Sequence, residues 1–223
     1  MKIGRIVELS HVLHPREEEY KLELQTHFVD DLLPGYTRKK GLWYIMQEVR
    51  LCTHVGTHLE APLHCLEDGQ DVSEIPLNRL IGEAVVLDFT YKKPNEPITL
   101  EEMKEVGAEI RENDIVLIKT GLSKFYNTEH AHERPYPTLE AVKWLVEKKI
   151  ACLGLDCSGV EVRGADDQPN HRTLFENGTP LIEHLTNLDQ LRRQRVWLFI
   201  LPWRVKGLEA APVRVIAIED AEN

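Results

Sequence analysis

The sequence predicts a single α/β domain built on a mixed sheet. Its 223 residues suit one compact domain. The composition, 42% hydrophobic and 29% charged, is an ordinary globular balance with enough apolar residues for a sizeable core. Segments with the composition of strands outnumber those with helical patterning, and the two are interleaved along the chain.

Lys2 to Leu9 and Tyr44 to Leu51 carry the β-branched and aromatic residues of strands. Between them, Pro15 to Leu42 is charged and irregular, and residues 15–42 read as a flap or an oligomer arm. Val85 to Phe89 is a short buried strand, followed by the Lys-Pro-Asn-Glu-Pro turn at residues 93–97. Thr99 then caps a helix, with Glu102 as its capping-box partner, and that helix runs to about Arg111. Asp114 to Thr120 is the clearest buried strand and Gly121 ends it. Thr138 caps a second helix through Lys148, whose apolar stripe includes Ala141, Leu145 and Val146. Ala151 to Leu155 is a strand that delivers Asp156 at its end, and Val196 to Leu201 and Val213 to Ile218 are the last two.

A net charge of −10 argues against a nucleic-acid or anionic-membrane partner, because either needs a concentrated basic face. The runs Arg38-Lys39-Lys40 and Arg192-Arg193 are short and read as solvated loop and helix ends. The first thirteen residues lack the apolar core of a signal peptide, and no stretch approaches the ~20 apolar residues of a membrane span. Cys52, Cys65, Cys152 and Cys157 form no C-x-x-C pair, so reduced thiols and a cytoplasmic location are expected.

The chemistry concentrates in His54-Val55-Gly56-Thr57-His58-Leu59-Glu60-Ala61-Pro62-Leu63-His64. His54, His58, Glu60 and His64 occupy even positions, so a locally extended backbone points them to one side. A fully extended run of that length would span ~33 Å, too far for one metal site. The chain must bend, most easily at Gly56 and Pro62. Imidazoles with a carboxylate suit Zn²⁺, Mn²⁺ or Fe²⁺ at ~2.0–2.2 Å. His54 and His58 stand four apart, but Gly56, Thr57 and Pro62 make the helix of an H-E-x-x-H site unlikely. Of the remaining groups, Cys65 reads as buried and inert, His130 and His132 as residues of a solvated loop, and His184 as pointing away from the site. Trp43, Trp144, Trp197 and Trp203 read as core.

This segment resembles the H-x-G-T-H-x-D-x-P-x-H signature of the cyclase-like metal hydrolases, which include bacterial kynurenine formamidase and isatin hydrolase. Six of the seven fixed positions match; Glu60 stands where the family has Asp. Asp156-Cys157-Ser158 is similar to the family's Asp-x-Ser turn, and His171 with Glu183 to its downstream ligand pair. Gly207 to Arg214 is similar to its C-terminal Gly-rich loop, so the likeness covers roughly residues 3 to 218. The resemblance implies a swivelling β/β/α domain, assembled as a homodimer or homotetramer, that acts on a small-molecule substrate. It implies one or two divalent ions per chain, zinc or manganese. His54, His58 and Glu60 would hold the first, and Glu60, His171 and Glu183 the second, with His64 as general acid/base. Such an arrangement fits hydrolysis of an amide, formamide or lactam bond of an aromatic substrate by metal-activated water.

The departures bear on this directly. The extra methylene of Glu60 shifts its carboxylate by ~1.5 Å, so either a bridged pair persists with altered geometry or one ion binds well. His14 to Gly35 replace a Trp-Pro-Gly-Asp stretch associated with the formamidase branch. Two other readings stay open at this point: a metal-dependent cyclase or dehydratase, and a non-catalytic module stapled by zinc.

Overall fold

The computed structural model describes residues 4–219. Among them the chain forms β1 (Arg5–Glu8), β2 (Leu22–Phe28), helix α1 (Val29–Leu32), β3 (Ile45–Leu51) and β4 (His58–Glu60). There follow α2 (Leu77–Leu80), β5 (Ile81–Asp88), β6 (Pro97–Ile98), α3 (Leu100–Val106) and β7 (Ile115–Lys119). The rest are β8 (Tyr136–Pro137), α4 (Leu139–Glu147), β9 (Cys152–Leu155), α5 (Pro169–Glu176), β10 (Leu181–Glu183), β11 (Arg195–Pro202) and β12 (Ala210–Glu219).

One mixed sheet dominates, in the order β1-β12-β11-β5-β7-β9-β10-β4. Strands β5, β7, β9 and β10 are parallel neighbours, and the other pairings are antiparallel. β4 also pairs with the first residues of β12, Ala210 opposite Glu60, so the sheet curls round and closes into a barrel. The single α/β domain with a mixed sheet is therefore as the sequence predicts.

The parallel strands read as unbroken apolar runs because both of their faces are buried. Ala84, Ile115, Leu117, Cys152 and Ile182 point into the barrel, where they meet Leu59, Leu198, Ile200 and Val215. Their neighbours Val85, Leu87, Val116, Ile118, Leu153 and Leu155 face outward onto Met103 of α3, Ala141 and Leu145 of α4, and Leu174 and Phe175 of α5. Parallel strands need crossovers, and α3, α4 and α5 supply them.

The predicted caps are in place. Thr99 accepts from Glu102 N at 3.3 Å while Glu102 accepts from Thr99 N at 2.9 Å. That helix stops at Gly107 and not near Arg111, because the chain folds back there and Ile110 N donates to Gly107 O at 3.0 Å. Thr138 caps α4 and Lys148 ends it, as expected. The first strand begins only at Arg5 within the described residues, and Lys2 and Ile3 lie outside them. At the end of β9 the Asp156 carboxylate accepts from Thr120 N at 2.7 Å, Thr120 Oγ1 at 2.6 Å and Gly121 N at 2.8 Å. This clasp joins the ends of β7 and β9; burial raises the Asp156 pKa despite those three donors.

Residues 15–42 are a correction. They are not irregular throughout: Leu22–Phe28 is a strand, paired antiparallel with β3 from Leu22↔Leu51 to Phe28↔Ile45. The hairpin is a separate two-stranded sheet with most of its side chains exposed on both faces. A strand that buries neither face leaves no alternating pattern to read. Also unpredicted were β4, β10 and α5, all short, and these are the elements that build the site.

Leu117 lies wholly buried inside the barrel. Leu117→Ala should lower unfolding free energy by ~2–5 kcal/mol in denaturant titrations, with an unchanged m-value. A loss under ~1 kcal/mol would show that the barrel interior is not close-packed there.

Candidate metal centre

The motif bends where Gly and Pro permit it. Cys52 to Thr57 is a tight turn in which Val55 N donates to Cys52 O at 3.1 Å. Gly56 has φ +66°, and a Cβ there would stand 2.1 Å from Leu13 Cδ2, so neither the conformation nor the space admits a side chain. The chain then extends as β4, and the two-residue period sends Leu59 into the barrel and His58 and Glu60 to the face that α5 covers. β10 lies against β4 with Glu183 opposite His58, which brings the distant carboxylate to the motif. Pro62 starts a single 3-10 turn that folds His64 back, its N–H donating to Ala61 O at 2.9 Å. α5 contributes His171.

All six predicted site residues meet. Glu60 Oε1 lies 3.0 Å from His54 Nδ1, 3.3 Å from His58 Nε2 and 4.0 Å from His64 Nε2. Its other oxygen, Oε2, lies 3.4 Å from His171 Nε2, and that nitrogen is 3.6 Å from Glu183 Oε1. The potential ligand atoms of His54, His58 and Glu60 lie within 4.8 Å of one another, as do those of Glu60, His171 and Glu183. Glu60 belongs to both groups. His58, Glu60, His171 and Glu183 are buried; His54 is half-buried and His64 is exposed at the edge of the cluster.

Each imidazole is oriented from behind. His58 Nδ1 faces Gly56 O at 2.8 Å, His171 Nδ1 faces Glu161 Oε1 at 3.1 Å, and His54 Nε2 faces Glu209 Oε1 at 3.4 Å. Ring N–H groups donated outward leave His58 Nε2, His171 Nε2 and His54 Nδ1 as lone pairs directed inward, the usual support of metal-binding histidines. His54 Nδ1 and His58 Nε2 stand 3.1 Å apart, close to the ~3.3 Å between two nitrogens held at ~2.0 Å by one tetrahedral ion.

The donor set fits a divalent cation. Among the described residues Glu60 Oε2 is buried with no hydrogen-bond partner, and no lysine or arginine lies within 4.0 Å of the Glu60 or Glu183 carboxylate. A buried, uncompensated carboxylate is costly, and an ion beside it removes the cost. Without an ion, protons take that place. Burial tends to lower the His58 and His171 pKa values, but the surrounding carboxylates outweigh it: Glu60 and Glu183 raise His58, and Glu161, Glu183 and Glu60 push His171 up to about 12. Burial likewise works to raise Glu60, yet His171, His54 and His58 hold it well below the usual carboxylate range. His64, farther out, is lowered by burial, with Glu60 partly offsetting this.

The cluster forms the floor of a cleft of about 320 Å³, which Tyr20, Arg134, Ser158 and Gly159 also line. A larger cavity of about 800 Å³ lies elsewhere, between Val72, Ile75, Leu77, Leu201 and Pro202, and has no histidine. Several expectations need correcting. Trp43 is 73% exposed, and Trp197 and Trp203 are also exposed, so three of the four tryptophans are not core. None lines the cleft; its aromatic wall is Tyr20, while Phe175 packs edge-on against His64. His130 is solvated as expected, but His132 is tied to Ser158 Oγ and Glu19 Oε1, both at 2.9 Å. Cys65 is half-buried, not buried. His184 packs on Tyr126, outside both ligand groups. Sequence reasoning missed Glu161 and Arg134, which carry no motif and reach the site only through folding, and singled out Glu209 only as part of the C-terminal loop.

With this geometry established, three comparisons agree on the family. The Cyclase family model, described as "Putative cyclase", matches residues 7–162. The chain belongs to the cyclase family. A kynurenine formamidase of Salinibacter ruber is 29% identical over 175 residues, covering 78% of this chain and 80% of the relative. An isatin hydrolase of Roseibium aggregatum is 27% identical over 199 residues, covering 79% and 73%. Among solved structures, a potential metal-dependent hydrolase with cyclase activity superimposes with a TM-score of 0.76 at 27% identity, over 98% of this chain and 99% of that one. The cyclase fold thus extends across the chain, and a divalent metal suits its His/Glu groups.

Metal binding should release protons. The carboxylates around His171 push its pKa up to about 12, so that ring is protonated near pH 7 in the ion-free protein and must give up its proton to ligate; the raised His58 pKa works in the same direction. Calorimetric titration with Zn²⁺ should therefore show an enthalpy that varies with buffer ionisation enthalpy, and affinity that rises with pH. An enthalpy independent of buffer would contradict this.

Proposed function

We propose that this chain is a metal-dependent amidohydrolase that cleaves an amide, formamide or lactam C–N bond of a small aromatic substrate. The observation that carries the reading is the pair of three-residue ligand groups sharing Glu60, with His64 beside them at the cleft wall. The names of the formamidase and isatin hydrolase relatives support the same bond class. A cleft of about 320 Å³ suits a substrate of one or two rings.

His54, His58 and Glu60 would hold one ion and Glu60, His171 and Glu183 a second, zinc or manganese by the nitrogen and oxygen donor set. When bound, such ions supply Lewis acidity toward the carbonyl and acidify water near neutral pH. His64 moves the proton. Its lowered pKa keeps the ring neutral at pH 7, so Nε2 can accept a proton from the attacking water. It then returns that proton to the leaving nitrogen as the C–N bond breaks, giving a carboxylate and an amine. Phe175 and His171 lie beside the His64 ring. Glu161 and Glu209 hold His171 and His54 in their ligating orientations.

Residues 15–42, together with β3, serve as an oligomer arm on this reading. An isolated two-stranded hairpin is marginal in water, and this one exposes Leu24, Phe28, Tyr36, Trp43, Met46 and Val49. A second copy covering that surface gives a homodimer or homotetramer. The four cysteines are free thiols, which supports a cytoplasmic setting, and no helix of the described residues is long and apolar enough to cross a membrane.

Light scattering on the purified protein should give the mass of a dimer or tetramer, and Trp43→Asp should shift it toward the monomer. A monomeric wild type would remove the arm's proposed role. For the chemistry, the metal-loaded protein should hydrolyse N-formyl anilines or aryl lactams. His64→Asn should lower kcat by ~10²–10⁴ with metal content intact. Metal lost together with activity would make His64 a ligand, and turnover confined to hydroxyketones would replace hydrolysis with dehydration.

A further inference from the structure

Among the described residues, the cleft holds one guanidinium, which the hydrolytic machinery does not use. Arg134 lines it together with Glu60, His64, His171 and Glu183. Of the five N–H donors on a guanidinium, the described residues take one: Nη1 donates to Ser158 Oγ at 3.3 Å. Nε is buried with no partner, and no carboxylate of the described residues lies within 4.0 Å.

Its position relative to the ligand groups follows from Gly159. The point where a Cβ would stand on that glycine is 3.1 Å from Arg134 Nη2 and 3.1 Å from Glu183 Oε1. The guanidinium is therefore within two contact distances of a ligand oxygen without touching it, and the bare glycine leaves the space between them open. The loop that carries Arg134 is held firmly. Ser158 Oγ donates to Ala131 O at 3.0 Å and contacts His132 Nδ1 at 2.9 Å, while His132 Nε2 meets Glu19 at 2.9 Å. The cation is thus pre-oriented, with no carboxylate of the described residues in contact and donors left free for a ligand.

We propose that Arg134 receives a carboxylate carried by the substrate, which makes the substrate class an aromatic N-acyl or lactam compound with an acid group close to the scissile bond. The planar fork matches a carboxylate through two parallel N–H···O bonds, which a surface lysine could not reproduce. Placed beyond Glu183, it fixes the ring so that the scissile carbonyl lies over the paired ligand groups. This proposal rests on the hydrolase reading for its substrate class, but the anion site itself can be tested by binding alone.

The test uses metal-loaded protein and two probes, 2-(formylamino)benzoate and 2-(formylamino)benzamide, which differ in the charge of one substituent. Wild type should favour the carboxylate by about ten- to hundred-fold in kcat/KM, the worth of a charge-assisted pair. Arg134→Gln should bring that ratio to about one while metal content stays constant, and Arg134→Lys should keep part of it. A ratio unchanged in Arg134→Gln would put the carboxylate elsewhere, on the metal for example, and overturn the proposal. An equal loss on both probes would make Arg134 a support of its loop and also overturn it. If neither probe is turned over, the hydrolase reading fails for this bond class, and calorimetry with 2-aminobenzoate and 2-aminobenzamide still decides the anion site. The same Arg134-dependent preference in Kd sustains it; equal affinities overturn it.

Discussion

The site depends on one carboxylate placed between imidazoles from separate parts of the fold. Glu60 reaches His54 and His58 with one oxygen and His171 with the other, and both oxygens are buried. β4 lies between β10 and β12, and pairing on both sides holds its three residues in place. Barrel closure and site assembly are therefore one event. The β4–β12 pairing that joins the sheet's ends also fixes Ala210 against Glu60 and brings Glu209 behind His54.

The electrostatics follow from that burial. Glu60, Glu161 and Glu183 converge on a small volume, and they raise the pKa values of His58 and His171 when no ion is present. A divalent ion replaces ring protons with charge at shorter range, so a site of this kind gains by exchanging them. His64 stands apart because it is exposed at the edge of the cluster and its pKa moves down while those of His58 and His171 move up. On the proposed reading, these opposite shifts set His64 as proton carrier apart from His58 and His171 as ligands.

Much of this was legible in the residues, for definite reasons. The parallel strands are buried on both faces and so wrote continuous apolar runs, Asp114 to Thr120 above all, and Thr99 and Thr138 wrote their caps as local chemistry. The motif was legible because Gly56 and Pro62 mark the bends that fold eleven residues around one point. Leu22–Phe28 was not, because a hairpin without a buried face has no period. Arg134 and Glu161 were not, because their roles come from packing across the sheet's end and not from spacing. The tryptophans misled for a related reason: a large aromatic side chain suggests core, yet Trp43 stands exposed on the surface.

Glu60 carries the central claim, and its longer side chain is where this chain departs from the family's Asp. Anomalous diffraction from crystals grown with Mn²⁺ or Zn²⁺ would locate each ion and its ligands at once. The account predicts two peaks per chain about 3.5–4 Å apart, with one Glu60 oxygen or both bound to each ion and at least one position open to water. A single peak with Glu60 as a terminal ligand, or an ion closed by four protein ligands, would contradict it.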